Sequence, residues 1–390
     1  MAAGASVVVI GGGVIGAAVA WQLTRLGVRD VLVLDRERVP GAGSTGRATG
    51  GYRATFATEP NIRLSLLARE TLRDFAELTG SAPVYDPVGY LWIARSAAML
   101  RTLETANALQ RGCGLSEAEI VGADDVYRLN PAVGRDAAIT GALWCPTDGY
   151  VRPVALLEGY RAAAERAGAR FRYGAGATGL RTSGAADARR LVAVRTRDGD
   201  VGCDLVVNAA GPWAAAVAAW AEVDLPVVPL RRQVALTLPT EALPGAMPMT
   251  LWADDGFHVR PRDGRALYAW PSSGDPDDEW STAVDDDWVR AAERTAHERI
   301  PALRGVPVDR AGCWAGLYEA SPDKRPIVGP APGCTGLLFA NGSSGHGVMH
   351  SAAIGRLVAE LATGRVPSLD MAWFAADRFT RGDSVGAELL

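Results

Sequence analysis

At 390 residues the chain is long enough for two domains or one large composite domain with a substantial core. Its hydrophobic content of 48% and charged content of 22% are those of an ordinary globular protein. The net charge of −4 gives no reason to expect nucleic acid or an anionic membrane surface as a partner.

The five cysteines are odd in number, widely spaced and without CxxC pairs, which favours a reducing, cytoplasmic compartment. No His/Cys cluster has the spacing of a metal site, so no metal is expected. The N-terminus lacks the basic region of a signal peptide, and no stretch approaches the ~20 apolar residues of a membrane span.

The first forty residues contain the strongest motif of the chain. The run SVVVIGGGVIG, residues 6–16, places an apolar β-branched strand before Gly11, Gly13 and Gly16, and an Ala-rich helical stretch follows. The first glycine permits a tight turn, the second lets a pyrophosphate approach the backbone, and the third lets the helix pack on the strand. A second strand, Val31 to Leu34, ends in Asp35, nineteen residues after Gly16. This combination predicts a dinucleotide site; Asp35 disfavours a 2′-phosphate, so NADP is least expected while NAD and FAD stay open.

The next segments continue the alternation of glycine-rich turns and helices. The loop GAGSTGRATGGYR, residues 41–53, contains five glycines and suggests backbone packed close to a ligand. Apolar periodicity and turn residues predict helices over residues 61–78, 97–110, 124–131, 154–167, 285–300 and 350–361. Strands are predicted at 84–94, 169–173, 191–196, 202–209 and 337–340, and short strands with turns between 226 and 271.

Six segments in this order resemble the FAD-dependent oxidoreductases of the D-amino-acid oxidase, glycine oxidase and sarcosine oxidase group. The resemblance covers nearly the whole chain and is nearest to the sarcosine oxidase β-subunit and related amine dehydrogenases. It rests on the opening fingerprint and on STGRATGGYR, VVNAAGPW, PLRRQV, GLYEASPDKRPIVGP and NGSSGHGVMHSAAIGRLVAEL.

The resemblance implies an α/β (α+β composite) fold in which a Rossmann-like FAD-binding domain carries an inserted mixed or antiparallel β-sheet substrate domain. We expect residues 1–80, 145–215 and 315–390 to form the first domain, and 81–144 and 216–314 the second. FAD is expected to be bound non-covalently, because the tethering cysteine of monomeric sarcosine oxidases aligns with Gly316 and Cys313 lies three residues away. The implied FAD-binding residues are Gly11, Gly13, Val14, Ile15, Gly16, Asp35, Arg36, Ser44, Thr45, Arg47, Ala48, Thr49, Gly50, Gly51, Ala177, Ala210, Gly211, Trp213, Gly342, Gly345, His346, Gly347, Val348 and Met349.

Such flavoenzymes transfer a hydride from the carbon beside an amine nitrogen to flavin N5, and the resulting imine hydrolyses in an oxidative deamination or N-demethylation. The resemblance implies that Arg53 binds a substrate carboxylate, that Tyr318 and Tyr268 are pocket tyrosines, and that His346 belongs to the glycine turn. Weaker pocket candidates are His258, Met349 and His350. Oxygen or another acceptor would reoxidise the flavin.

Two departures from the family pattern keep alternatives open. Met349 stands where monomeric sarcosine oxidases have a carboxylate-binding lysine, and Tyr318 where glycine and D-amino-acid oxidases have an arginine. No counterpart of the oxygen-activating lysine is evident, which favours a dehydrogenase. One alternative is an oxidase of a larger specialised amine, which Met349 and the acidic loop Asp275 to Glu279 would suit. The other is a non-catalytic flavin-bound subunit or assembly factor that works with a partner subunit, and a homo-oligomer is equally open.

Overall fold

The computed structural model describes residues 4–185, 189–271 and 278–382. The strands are β1 Val7–Ile10, β2 Val31–Leu34, β3 Gly51–Tyr52, β4 Tyr85–Asp86, β5 Tyr90–Ala94, β6 Glu119–Val121, β7 Gly141–Cys145, β8 Gly149–Val151, β9 Arg170–Arg172, β10 Ala177–Ser183, β11 Arg189–Thr196, β12 Gly199–Gly202, β13 Leu205–Asn208, β14 Val228–Leu236, β15 Met249–Trp252, β16 His258–Arg262, β17 Arg265–Ala269, β18 Trp314–Ala320, β19 Ile327–Pro330, β20 Cys334–Thr335 and β21 Leu337–Asn341.

The α-helices of the described residues lie mainly between these strands. They are α1 Val14–Arg25, α2 Ser44–Arg47, α3 Glu59–Arg73, α4 Phe75–Thr79, α5 Ala97–Gly112, α6 Ala123–Leu129, α7 Pro153–Arg166, α8 Ala214–Ala219, α9 Asp286–Arg299, α10 Gly347–Ala362 and α11 Arg378–Arg381.

The first large sheet has six strands in the order β19-β21-β13-β1-β2-β9 and is parallel except for β19. Both faces of its central strands are covered, as expected for a parallel sheet. Val7 and Val9 of β1 pack with helices α1, α3, α7 and α10, whereas Val8 and Ile10 pack with α8 and the small sheet β10-β11-β12. The all-apolar sequence VVVI therefore forms a central strand with no face exposed to water.

The second large sheet has eight strands in the order β18-β14-β17-β16-β15-β5-β7-β6. Every pair is antiparallel except β15–β5. One face packs on helix α9 through Trp252, Val259 and Tyr268. The predicted combination of a Rossmann-like sheet with a mixed sheet is confirmed by this architecture.

Most predicted elements form, with shifted ends. The predicted helix 61–78 is two helices, α3 and α4, because the backbone at Asp74 (φ −98°, ψ 15°) interrupts it. Helix α10 begins at Gly347, three residues before the predicted start. The domain boundary predicted at residue 315 falls inside β18, which pairs with β14 in the eight-stranded sheet. The assignment of residues to two domains stays a prediction.

None of the helices in the described part of the chain is long and apolar enough to cross a membrane.

Candidate active site

A cavity of about 730 Å³ lies between the two large sheets. One end is lined by the loops after β1, β2 and β13, at the carboxyl edge of the parallel sheet. The other end is lined by cavity-facing residues of β14 to β18. Ligands of open α/β sheets bind at this edge of the sheet.

Two glycines where β1 leads into α1 have no room for a side chain, one in the turn and one in the first turn of the helix. Gly11 has φ +107°, and a Cβ there would lie 2.2 Å from the carbonyl oxygen of Ala209. A Cβ on Gly16 would lie 1.9 Å from the carbonyl oxygen of Gly11. Helix α1 therefore begins directly at the cavity, with no side-chain cap at Gly13 and no acidic residue in its first turn. Its N-terminal amides and positive dipole end are suited to a pyrophosphate.

Asp35 lies at the end of β2 and orders the same turn. Its carboxylate accepts hydrogen bonds from the amides of Gly12 and Glu37, both at 2.7 Å. Burial raises the pKa of Asp35, and the two hydrogen bonds oppose that rise. Beside it, the Arg36 guanidinium lies 3.4 Å from the ring centroid of Trp213. These residues line the end of the cavity where the dinucleotide motif places an adenosine.

The glycine-rich loop after β2 is fixed to helix α1 and to the eight-stranded sheet. Ser44 Oγ donates to the carbonyl of Leu317 at 2.7 Å, and Thr45 Oγ1 accepts from the Val14 amide at 3.1 Å. Arg260 Nη1 donates to the carbonyls of Thr49 and Gly50 at 2.9 and 3.2 Å. The loop therefore lines the cavity as fixed backbone.

The last glycine turn leads into helix α10, whose N-terminus also faces the cavity. Gly345 has φ +92°, and a Cβ there would lie 2.3 Å from the Tyr318 ring. No side chain caps the helix at His346, and Gly347, Val348 and Met349 line the cavity. A 16-residue helix without a side-chain cap favours negative charge in front of its N-terminus.

Arg53 is 5% exposed and lies on the cavity wall. Its guanidinium carbon is 4.3 Å from the ring centroid of Phe56 and 4.6 Å from that of Trp92. Nη2 lies 3.0 Å from Nε2 of His346. Burial and the nearby positive charge of Arg53 hold the pKa of His346 well below its usual range. Asp148 supports the wall from behind: its carboxylate accepts from the Ala54 amide at 2.8 Å and from Thr55 Oγ1 at 2.8 Å.

Two further predicted residues line the cavity beside Arg53. Tyr318 faces it from β18; burial raises the pKa of this hydroxyl, and the positive charges of Arg232 and Arg53 oppose the rise. His258 faces it from β16, with Nδ1 3.0 Å from the Gly256 carbonyl, and burial lowers the pKa of this imidazole.

Two predicted pocket residues lie elsewhere. Tyr268 is fully buried on the opposite face of its strand, against Phe257 in the core beneath helix α9, because side chains alternate along β17. His350 is one turn beyond His346 on α10 and fully buried, with Nε2 2.7 Å from Ser65 Oγ. Neither lines the cavity.

Two predicted cofactor residues also lie outside the cavity lining. Gly16 packs against the β1–α1 turn, and Gly342 is packed against Ile327 and Ser321. The other residues of the predicted FAD set line the cavity. In the acidic loop, residues 275–277 lie outside the described residues.

Sequence reasoning missed several polar or charged lining residues, among them Tyr90, Arg232, Glu319 and Lys324. Arg232 lies within the quoted motif PLRRQV, and strand alternation places one of its two arginines on each face. Glu319 is buried; its Oε1 accepts from the Ser343 amide at 3.2 Å, and burial raises its pKa to about 7.

The cavity fits a flavin dinucleotide, because the N-termini of helices α1 and α10 meet in it, next to two turns in which Gly11 and Gly345 have no room for a side chain. Residues 6–361 match the DAO family model, described as FAD dependent oxidoreductase. The chain belongs to this family of FAD-dependent oxidoreductases. The predicted family and cofactor are thereby confirmed.

Known proteins and solved structures match over almost the whole chain. FAD-dependent oxidoreductase domain-containing protein 1 of Bos taurus is 28% identical over 97% of this chain and 85% of its own length. Mitochondrial dimethylglycine dehydrogenase of Mus musculus is 27% identical over 96% of this chain, which spans only 44% of that protein. The solved structure of L-proline dehydrogenase from P. horikoshii is 25% identical with a TM-score of 0.89, covering 98% of this chain and 99% of that one.

Proposed function

We propose that the protein oxidises the carbon beside the nitrogen of an N-substituted α-amino acid, giving an imine that hydrolyses. Bound FAD supplies the hydride acceptor for this reaction. The observation that carries the proposal is the position of the buried Arg53 guanidinium on the same cavity wall as the uncapped start of helix α10.

Arg53 is the group that would hold the substrate carboxylate. A guanidinium donates two parallel hydrogen bonds to a carboxylate, and the rings of Phe56 and Trp92 hold this one in place. Fixing the carboxylate fixes the neighbouring α-carbon, so the C–H bond that breaks is held in a reactive position.

The charges of the wall favour the reactive form of the amine. Hydride leaves a carbon whose nitrogen has a free lone pair, so the substrate ammonium must first lose its proton. Arg53, Arg232 and Lys324 line the cavity, and nearby positive charge lowers the pKa of an ammonium group. The low pKa of His346 keeps this imidazole neutral, so it adds no further charge.

Helix α10 is suited to stabilise negative charge that develops in front of its N-terminus. The amides of Gly347 to Met349 lie at the positive end of a 16-residue helix, with no acidic residue in the first turn. This electrostatic contribution needs no side chain, which agrees with Met349 standing where some family members have a lysine.

The relatives support an N-substituted amino acid. Two of the proteins above are named after dimethylglycine and proline, which are both α-amino acids with an alkylated nitrogen. Five cysteines are free, which supports our proposal of a cytoplasmic location. Among the described lining residues none is a cysteine, which supports non-covalent FAD.

Arg232 bears on the rival reading of a non-catalytic subunit. A non-catalytic subunit would be favoured by the lack of a second cation for the substrate carboxylate, and Arg232 provides a further cation on the cavity wall. A larger specialised amine remains the second candidate, because Met249, Leu251 and Trp270 extend the wall with apolar surface.

The test is anaerobic flavin reduction by the purified holoprotein. Sarcosine, dimethylglycine, proline, glycine and D- and L-alanine are added in turn while the oxidised flavin band is recorded. We expect bleaching by at least one N-substituted amino acid, with slower or no bleaching by the primary amines. Rapid return of the band in air would identify an oxidase and slow return a dehydrogenase. Holoprotein that none of these compounds bleaches would overturn the proposal.

A further inference from the structure

Arg232 projects into the cavity from an otherwise apolar stretch of sheet. In β14 it lies opposite Gly316 of β18, over which the stem of the Arg47 side chain packs. Leu230 and Val234, two residues to either side, line the same cavity. Arg231 points to the other face, where its Nη1 donates to the carbonyl of Ala283 at 2.9 Å.

No carboxylate among the described residues forms an ion pair with Arg232. Its Nη1 donates to the carbonyl of the neighbouring Arg231 at 2.9 Å, and its guanidinium carbon lies 5.9 Å from the Tyr318 ring centroid. Three acids in the described chain line the cavity, and each has other contacts. Asp35 accepts two amides, Glu37 lies 3.3 Å from Arg36, and Glu319 accepts the Ser343 amide.

Tyr318 lines the same cavity as this arginine and the proposed carboxylate-binding Arg53. The electrostatic fields of both Arg232 and Arg53 reach its hydroxyl. The cavity lining therefore includes two guanidinium groups whose charges both act on one phenol, together with the apolar side chains of Met249 and Leu251. A guanidinium facing such a wall is suited to a carboxylate or another planar anion.

We infer that the substrate carries a second anionic group, which binds Arg232 while its α-carboxylate binds Arg53. The chemical class is an N-substituted amino acid with an acidic side chain or an acidic N-substituent. This inference rests on the proposed function for the amine, but the anion site can be tested without turnover.

The first test measures binding of unreactive acids to the holoprotein through the perturbation of the flavin spectrum. Glutarate and pentanoate have five carbons each and differ by one carboxylate. We expect glutarate to bind at least about tenfold more tightly, as a charged hydrogen-bonded pair predicts. Arg232→Gln should remove that preference and leave pentanoate binding unchanged. Arg231→Gln, a neighbouring arginine on the opposite face, is the matched control and should retain the preference.

Three outcomes would overturn the inference. The first is that the unsubstituted protein binds the two acids equally, and the second is that Arg232→Gln and Arg231→Gln reduce the preference for glutarate to the same extent. The third is that Arg232→Gln changes only the affinity for FAD. A second test compares N-methylaspartate with N-methylalanine as reductants under anaerobic conditions, and we expect faster reduction by the diacid. Reduction by N-methylalanine without any advantage for the diacid would leave the proposed function intact and reject the second anion site. A preference for glutarate without flavin reduction by any amine would support the second anion site and reject the proposed function.

Discussion

Arg53 Nη2 donates to Nε2 of His346 across 3.0 Å on the cavity wall. Because a guanidinium has only donors, Nε2 must accept, and the imidazole proton must lie on Nδ1. Nδ1 is buried and has no hydrogen-bond partner among the described residues. The pair therefore consists of one fixed cation and one neutral ring, and the ring's N–H is buried away from the cavity.

Replacing Arg53 should weaken substrate binding far more than FAD binding. For Arg53→Met we expect KM for the reducing amino acid to rise at least about a hundredfold, because a bidentate ionic contact is lost. For Arg53→Lys we expect a KM between those of the unsubstituted protein and Arg53→Met, since an ammonium cannot reproduce the planar geometry of a guanidinium. Stopped-flow reduction at varied substrate concentration measures this. Equal KM values in all three proteins would show that the carboxylate binds elsewhere.

The same substitution should change the protonation of His346. The positive charge of Arg53 contributes to its low pKa, so Arg53→Met should raise that pKa. Nitrogen-15 NMR of histidine-labelled protein measures it, with His346→Asn identifying the signal. In the unsubstituted protein we expect a neutral ring with the proton on Nδ1 at pH 6. A ring that is half-protonated near pH 6.5 would contradict this geometry.

The dinucleotide end of the site could be predicted from the sequence because it depends on backbone geometry. Positions 11 and 16 must be glycine, because a Cβ at either one would overlap a backbone carbonyl oxygen. Asp35 directly follows a short apolar strand. The substrate end could not be predicted equally well. Tyr268 and Arg232 lie on neighbouring strands, and only the pairing of β14 with β17 and β18 decides which face each side chain occupies.

The hydrogen bonds that hold the wall around Arg53 could not be predicted from the sequence either. Asp148 is 94 residues from Ala54 along the chain, yet its carboxylate accepts that residue's amide. Thr55 Oγ1 donates to Asp148 and accepts from Nε1 of Trp92, whose ring lies against Arg53. Such long-range contacts leave no pattern in local sequence.

Asp148→Asn should therefore disturb Arg53 indirectly. The amide would place a donor opposite Thr55, whose amide and hydroxyl both donate to Asp148. We expect a loss of about 1 to 3 kcal/mol of unfolding free energy and a higher KM with little change in FAD affinity. Asp124→Asn, at a fully exposed carboxylate, is the control and should change neither. Denaturant unfolding and reduction kinetics measure both, and unchanged stability would argue against the buried network.

His350 should make folding stability sensitive to acid. Burial and the charge of Arg53 lower the pKa of His350 to about 3, against 6.5 for an ordinary histidine. Below pH 6.5 the unfolded chain takes up a proton that the folded chain does not, so stability falls as the pH falls. Between pH 6 and pH 5 this contributes about 1 kcal/mol, which His350→Asn should remove. Denaturant unfolding at the two pH values measures it.

Two buried acids change the folding stability in the opposite direction over that pH range. Burial raises the pKa of Asp148 to about 6 and that of Glu319 to about 7, so each favours folding more as the pH falls. Because both acids remain in the His350→Asn variant, only the difference between the two proteins reports on His350. An identical pH dependence in both proteins would mean that His350 is protonated in the folded state.

Gly13→Ala should separate FAD binding from folding. Gly13 has φ −74°, which alanine adopts without strain, and its Cβ would lie 3.3 Å from Thr45 Oγ1. The methyl group would project at the start of helix α1, where we place the pyrophosphate. We expect FAD affinity to fall at least about tenfold while the apoprotein keeps its Tm within a few degrees.

Gly112→Ala has open space around its Cβ and lies at the end of α5, so it should leave FAD affinity unchanged. Gly11→Ala, whose Cβ would overlap the Ala209 carbonyl, should instead lower Tm strongly. Flavin fluorescence titration and thermal unfolding of the three variants make the comparison, and unaltered affinity in Gly13→Ala would place the pyrophosphate away from this turn.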